Sequence, residues 1–300
     1  MSVRLGNAPI SWGVCELPGW GPQLPYARVL DEMAAAGYAG TELGPWGFLP
    51  TDPGQLAATL RDRNLAMAAA FVPLNLKPAD AFAESEARVR ETAELLRRLG
   101  AQHILLADAG DPLRYRVAGR PDQTRAHALT PGEWAGYVTR LERLARLCRS
   151  DYGLIPCFHS HGGTYIESPD EIEMLMARTD PHLLTFCLDT GHVAFGGGDP
   201  LEVARMYAFR LGYVHLKDID LPRLRALLAR GENYVNAAQQ DVFVELGQGS
   251  LDLPALFDVL KTSGYEGWII VEQDRVVQAD TDTFSAARRS RDYLKKHLVI

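Results

Sequence analysis

Four short segments set imidazoles beside carboxylates or an amine. They are His159-Ser160-His161-Gly162-Gly163-Thr164, Asp189-Thr190-Gly191-His192, His215-Leu216-Lys217-Asp218 and Glu272-Gln273-Asp274. Four of the eight histidines fall in them, and each segment follows a short apolar run. One histidine at a strand end is an ordinary structural residue, but four equivalent clusters point to a shared site. A mixed imidazole and carboxylate set suits Mn²⁺, Fe²⁺, Co²⁺ or Zn²⁺ better than Ca²⁺, which takes oxygen ligands. No cysteine lies in these segments, so a Cys-rich structural zinc site is not expected.

Those clusters need a scaffold that brings strand ends together. Strands are expected at Val3–Ile10, Tyr38–Leu43, Leu65–Val72, Gln102–Ala107, Leu154–His159, Leu183–Asp189, Gly212–Leu216 and Trp268–Glu272. Helical spacing runs over Leu24–Gly37, Asp52–Arg63, Asp80–Gly100, Asp199–Phe209 and Phe284–His297. Thr130-Pro131-Gly132-Glu133 and Ser168-Pro169-Asp170-Glu171 each read as a capping box that opens a further helix. Asp108–Thr130 reads as a polar loop. The strands lack strict polar alternation, as expected when both faces are covered. Eight strands, most followed by a helix, predict a (β/α)₈ TIM barrel with its active site at the C-terminal strand ends. One domain is expected over residues 1–300. No G-x-G-x-x-G follows the first strand, which weakens a dinucleotide-binding reading.

The 300 residues are 47% hydrophobic, enough for a large core, and carry a net charge of −7. An acidic chain is a poor holder of phosphate backbones, so no nucleic-acid partner is expected. No apolar run reaches membrane-spanning length, and Cys15, Cys148, Cys157 and Cys187 read as reduced, buried thiols. A soluble cytoplasmic protein without a membrane partner is expected, and a homo-oligomer is compatible with the sequence.

The four clusters, with Asn7-Ala8-Pro9-Ile10-Ser11-Trp12, Gly40-Thr41-Glu42-Leu43-Gly44 and Gly264-Tyr265-Glu266-Gly267-Trp268, resemble the xylose-isomerase-like TIM-barrel superfamily. The combination is most similar to inosose dehydratases. The resemblance implies one divalent metal held by a Glu, an Asp, a His and a Glu. Asp189, His215 and Glu272 match three of these; His159 stands at the first position, where Glu167 is the alternative donor. His161 matches the general base of related dehydratases. Lys217, two residues past a proposed ligand on one strand, shares its face and suits neutralising an oxyanion or protonating a leaving hydroxyl. Glu167 is a further catalytic candidate. His192, Glu42, Asn7 and Trp12 are candidate substrate contacts.

The implied chemistry removes a proton beside the carbonyl of a small polyol or keto-sugar, giving an enediolate. Loss of a β-hydroxyl then makes a dehydratase; reprotonation elsewhere makes a sugar isomerase or epimerase. The histidine-rich fifth strand favours the dehydratase. DNA repair of the endonuclease IV kind is disfavoured, because Phe243 stands where that group has a histidine ligand and the early strand ends offer Glu42 and Phe71.

Overall fold

The computed structural model describes all residues except Met1, Glu16, Pro18, Gly19, Pro78, Ala279, Val299 and Ile300. Its main sheet is built of parallel strands: β1 Val3–Asn7, β2 Gly40–Thr41, β3 Ala66–Met67, β4 Phe71–Leu74, β5 His103–Asp108, β6 Ile155–His159, β7 Thr185–Asp189, β8 Leu211–Leu216 and, last in the chain, Gly267–Val271. That last strand is β11, because a small antiparallel pair precedes it: β9 Asp218–Ile219 and β10 Phe243–Val244. The order around the sheet is β3-β2-β1-β11-β8-β7-β6-β5-β4.

The third expected strand is therefore split. β3 pairs with β2, β4 pairs with β5, and Ala68–Ala70 joins the two pieces. The joining alanines hold both neighbours, with Ala68 N–H donating to the Thr41 carbonyl and Leu105 N–H to the Ala70 carbonyl. A tilted barrel strand meets one neighbour low and the other high, and three small residues let it pass between them. Counting β3 and β4 as one stave, the sheet is the eight-stave barrel expected from the sequence.

The inward faces form a filled floor of Leu105, Cys157, Cys187, Tyr213, Trp268 and Ile270. Gly40 makes room for it, since a Cβ there would collide with the Trp268 ring and the Ala66 carbonyl. Arg4 lies 4.0 Å over the same indole and closes the N-terminal end. The larger apolar core sits between the sheet and the helices.

Helices α1 Tyr26–Ala35, α2 Pro53–Arg61 and α3 Phe82–Arg98 follow the first three staves. The stretch expected as a loop contains two short helices, α4 Pro112–Val117 and α5 Pro121–Ala126, with Asp111 capping the first. Both expected capping boxes form, at Thr130 for α6 Pro131–Tyr152 and at Ser168 for α7 Pro169–Arg178. Asp189 caps α8 Thr190–Phe195, and α9 Pro200–Met206 follows. Between Leu216 and Trp268, a span without a strong periodic signal, the chain adds α10 Leu221–Ala229, α11 Tyr234–Gln239 and α12 Leu253–Thr262 around the β9–β10 pair. Helix α13 Thr283–His297 ends the described fold. Among the described residues, no helix is long and apolar enough to cross a membrane.

Candidate active site

Strands β6, β7, β8 and β11 are neighbours, so their C-terminal ends carry His159, Asp189, His215 and Glu272 to one place. One ligand atom from each lies within 4.8 Å of the others, and all four residues are buried. Asp189 Oδ2 is 3.3 Å from His159 Nε2 and 3.5 Å from His215 Nδ1, and Glu272 Oε2 is 3.0 Å from His215 Nδ1. The other oxygen of Asp189 accepts from the His192 N–H at 2.9 Å, so the start of α8 fixes which way this carboxylate points.

The donor set fits a divalent metal ion. Among the described residues, His215 Nδ1 has no well-aligned hydrogen-bond partner despite its close carboxylates, and His159 Nδ1 has none either. Burial alone would discharge His215, but Glu272 and Glu42 more than offset it and hold its pKa well above the usual histidine value. Burial opposes ionisation of Glu272, yet His215 and Lys217 pull its pKa down to about 2. Such a pocket stabilises positive charge. Glu42 Oε1 meets the far nitrogen of His215 at 2.8 Å, the orienting bond that ligating histidines commonly make.

A second layer rests on the first. The ring of His161 lies 3.8 Å from that of His192, centroid to centroid. His161 Nδ1 is 2.8 Å from the Gly162 carbonyl and so carries the proton, which leaves Nε2 unprotonated. Burial, with His159 and Lys217 nearby, lowers its pKa to about 3 and keeps it neutral. Lys217 Nζ lies 2.8 Å from Asp274 Oδ1, 3.0 Å from Glu272 Oε2, 3.3 Å from Asp189 Oδ2 and 3.0 Å from His192 Nε2. Burial would discharge the ammonium, but the three carboxylates outweigh it and raise its pKa well above 10.5. Tyr234 donates to Asp274 Oδ2 at 3.1 Å, and its hydroxyl is 3.4 Å from His161 Nε2.

Both layers open into one cavity of about 450 Å³, walled further by aromatic residues that include Trp20, Trp46, Phe71 and Tyr115. That volume lies within the usual range for small-molecule sites.

The family model for the xylose isomerase-like TIM barrel matches residues 30–297. The chain belongs to that family. Among its relatives, an inosose dehydratase of Geobacillus kaustophilus (strain HTA426) is 32% identical over 98% of this chain and 94% of its own length. The solved structure of an L-ribulose 3-epimerase covers all of this chain and 95% of its own, with a TM-score of 0.72 and 19% identity. The IolI protein, solved with a zinc atom, covers 99% of this chain and 96% of its own, with a TM-score of 0.69 and 16% identity. These two share the fold.

Not every expected residue reaches the cavity of this xylose isomerase-like barrel. His159, His161, His192, His215, Lys217, Glu42 and Glu272 line it, with Asp189 buried behind them. Glu167 does not join them. It is buried where its two oxygens accept from the Gly119 and Gly163 N–H groups at 2.7 and 2.6 Å, tying the α4–α5 stretch to the loop after His161. Asn7 and Trp12, expected as pocket walls, are also absent from the lining. A Cβ at Gly6 would meet Ile270 of the barrel interior, and Ala8 packs there too. Strand alternation therefore turns Asn7 toward the helical layer, beside Tyr38. Trp12 is fully buried in the outer core and donates to Glu32 at 2.8 Å.

Sequence reasoning left Asp274, Tyr234 and Cys187 without roles. Asp274 stood in a quoted cluster, but no local pattern shows Tyr234 reaching it from forty residues away. Cys187 brings its sulfur within 4.8 Å of the His159 and His215 nitrogens, although no cysteine stands in the four motif segments. Burial holds its thiol protonated, as a filler of the barrel floor.

Proposed function

We propose that this barrel is a hydro-lyase that removes water from a polyhydroxylated cyclic ketone of the inosose kind. The observation that carries the proposal is the 32% identity to an inosose dehydratase across nearly the whole of both chains. The site supports it with separate candidates for the two proton transfers that dehydration needs.

His159, Asp189, His215 and Glu272 would hold a divalent metal ion. Bound there, the ion supplies Lewis acidity that polarises a substrate carbonyl and its neighbouring hydroxyl. His161 Nε2, unprotonated and facing the cavity, takes the proton from the carbon next to the carbonyl. Lys217 gives a proton to the hydroxyl on the following carbon, which departs as water. One C–H and one C–O bond break, a C=C bond forms, and the proton gained by the base balances the one given by the acid. Asp274, fixed by Tyr234, holds the ammonium in place. Glu42 acts as a positioning residue by fixing the ring of His215.

The deciding experiment incubates metal-loaded protein with keto-inositols, dehydroshikimate and common ketoses, and follows water loss and isomerisation in parallel. Water loss from a keto-inositol is expected. Conversion of a ketose to an isomer without dehydration would move the assignment to the sugar isomerases and epimerases.

A further inference from the structure

The polar groups of the cavity are gathered in one part of it. Glu42, His159, His161, His192, His215, Lys217, Glu272 and Asp274 link to one another through a chain of close contacts. Most of the remaining lining is apolar, including Val14, Leu17, Trp20, Trp46, Phe71 and Pro73. The indole N–H of Trp20 donates to the Arg275 carbonyl at 3.0 Å, so this residue's donor is already engaged outside the cavity. Two further charged residues line the cavity, and each has a partner. Asp108 Oδ1 accepts from the Gly110 N–H at 2.8 Å, and Arg88 pairs with Glu84 at 3.6 Å.

A bare keto-inositol carries oxygen on every ring carbon and has about a dozen non-hydrogen atoms. Allotting each atom the roughly 30 Å³ that a water molecule takes in the liquid gives about 360 Å³. The cavity of about 450 Å³ exceeds even that generous figure. A ring seated against the polar cluster leaves the apolar part unfilled, and a hydroxyl pushed into it would lose its hydrogen bonds.

We infer that the apolar part of the cavity is a subsite for an alkyl group carried on a ring oxygen, so that the substrate class extends to O-alkylated cyclic keto-polyols. The inference rests on the proposed dehydratase reading for the placement of the ring, and its test separates the two.

The test uses metal-loaded, full-length protein and two readouts. Binding of inositol, its mono-O-methyl and mono-O-ethyl ethers and its monophosphates is measured by calorimetry. Turnover of the matching ketones is measured as kcat/KM for water loss. An ether at one ring position is expected to bind about fourfold tighter than inositol for each buried carbon. Trp46→Gln should shrink that gain by removing an apolar wall.

Ethers that bind no tighter than inositol at any ring position would overturn the inference, whatever the activity. A monophosphate that binds tighter than every ether would also overturn it, since Arg88 would then be reading an anion. Tighter ethers with no water loss from any ketone would leave the subsite standing and remove the dehydratase assignment.

Discussion

Lys217 Nζ and His215 Nδ1 meet on the same two carboxylate oxygens. Asp189 Oδ2 is 3.3 Å from the lysine and 3.5 Å from the histidine, and Glu272 Oε2 is 3.0 Å from both. The ammonium therefore rests against oxygens that a metal ion would share. Lys217→Met should strengthen metal binding about tenfold or more, because it removes a competing positive charge and frees Asp274. A chelator competition titration checks this. Weaker metal binding in the variant would show that the lysine orders the carboxylates more than it competes with them.

His159 and Glu167, the two alternatives for the fourth metal ligand, should behave differently on truncation. His159→Ala removes a nitrogen that sits 3.3 Å from Asp189, and should cost metal affinity as severely as Asp189→Ala, His215→Ala or Glu272→Ala. Glu167→Ala should leave bound metal near wild-type content, because both of its oxygens are engaged by backbone N–H groups outside the cluster. Metal analysis after dialysis against a weak chelator measures the contrast.

His161→Ala should keep its metal and fold yet lower kcat by on the order of 10²–10⁴, the usual contribution of a positioned general base. Deuterium on the carbon beside the carbonyl of a turned-over ketone should exchange with solvent in the wild type and be retained in the variant. Exchange at the wild-type rate would reassign the base.

The parts of the site differ in how legible they are in the sequence. The strand ends were readable because each combined an apolar run with ligand-type residues, and a barrel leaves those ends only one mouth to share. The facing of Asn7 is hidden because Gly6 and Ala8 are too small to announce which side of β1 points inward, and Trp12 lies beyond that strand, in a short helical turn that carries it into the outer core. The split between β3 and β4 was hidden for a similar reason, since Ala68–Ala70 fits strand or kink equally well. Tyr115 and Tyr234 reach the cavity from α4 and α11, elements that depend on packing against the barrel and carry little periodicity of their own.

Glu167 gives the fold a pH dependence whose sign follows from its burial. Burial raises its pKa from 4.5 to about 7, although the Gly119 and Gly163 N–H groups pull the other way. The folded chain then holds a proton that the unfolded chain has released between those two values. Stability should fall as pH rises through that window and level off above it, by about 2–3 kcal/mol between pH 5 and 8. Glu167→Gln should flatten this contribution. Urea midpoints for both proteins at pH 5 and pH 8 test it, and equal losses in the two would contradict it.

The closed floor of the barrel governs traffic. Tyr213, Ile270 and Trp268 fill the interior beneath the site, with Arg4 across the indole at the far end. That packing closes the N-terminal side of the cavity, so the site is reached from the C-terminal side of the barrel. Whatever the site takes in and releases passes the C-terminal ends of the strands. Entry and exit therefore share one side of the barrel.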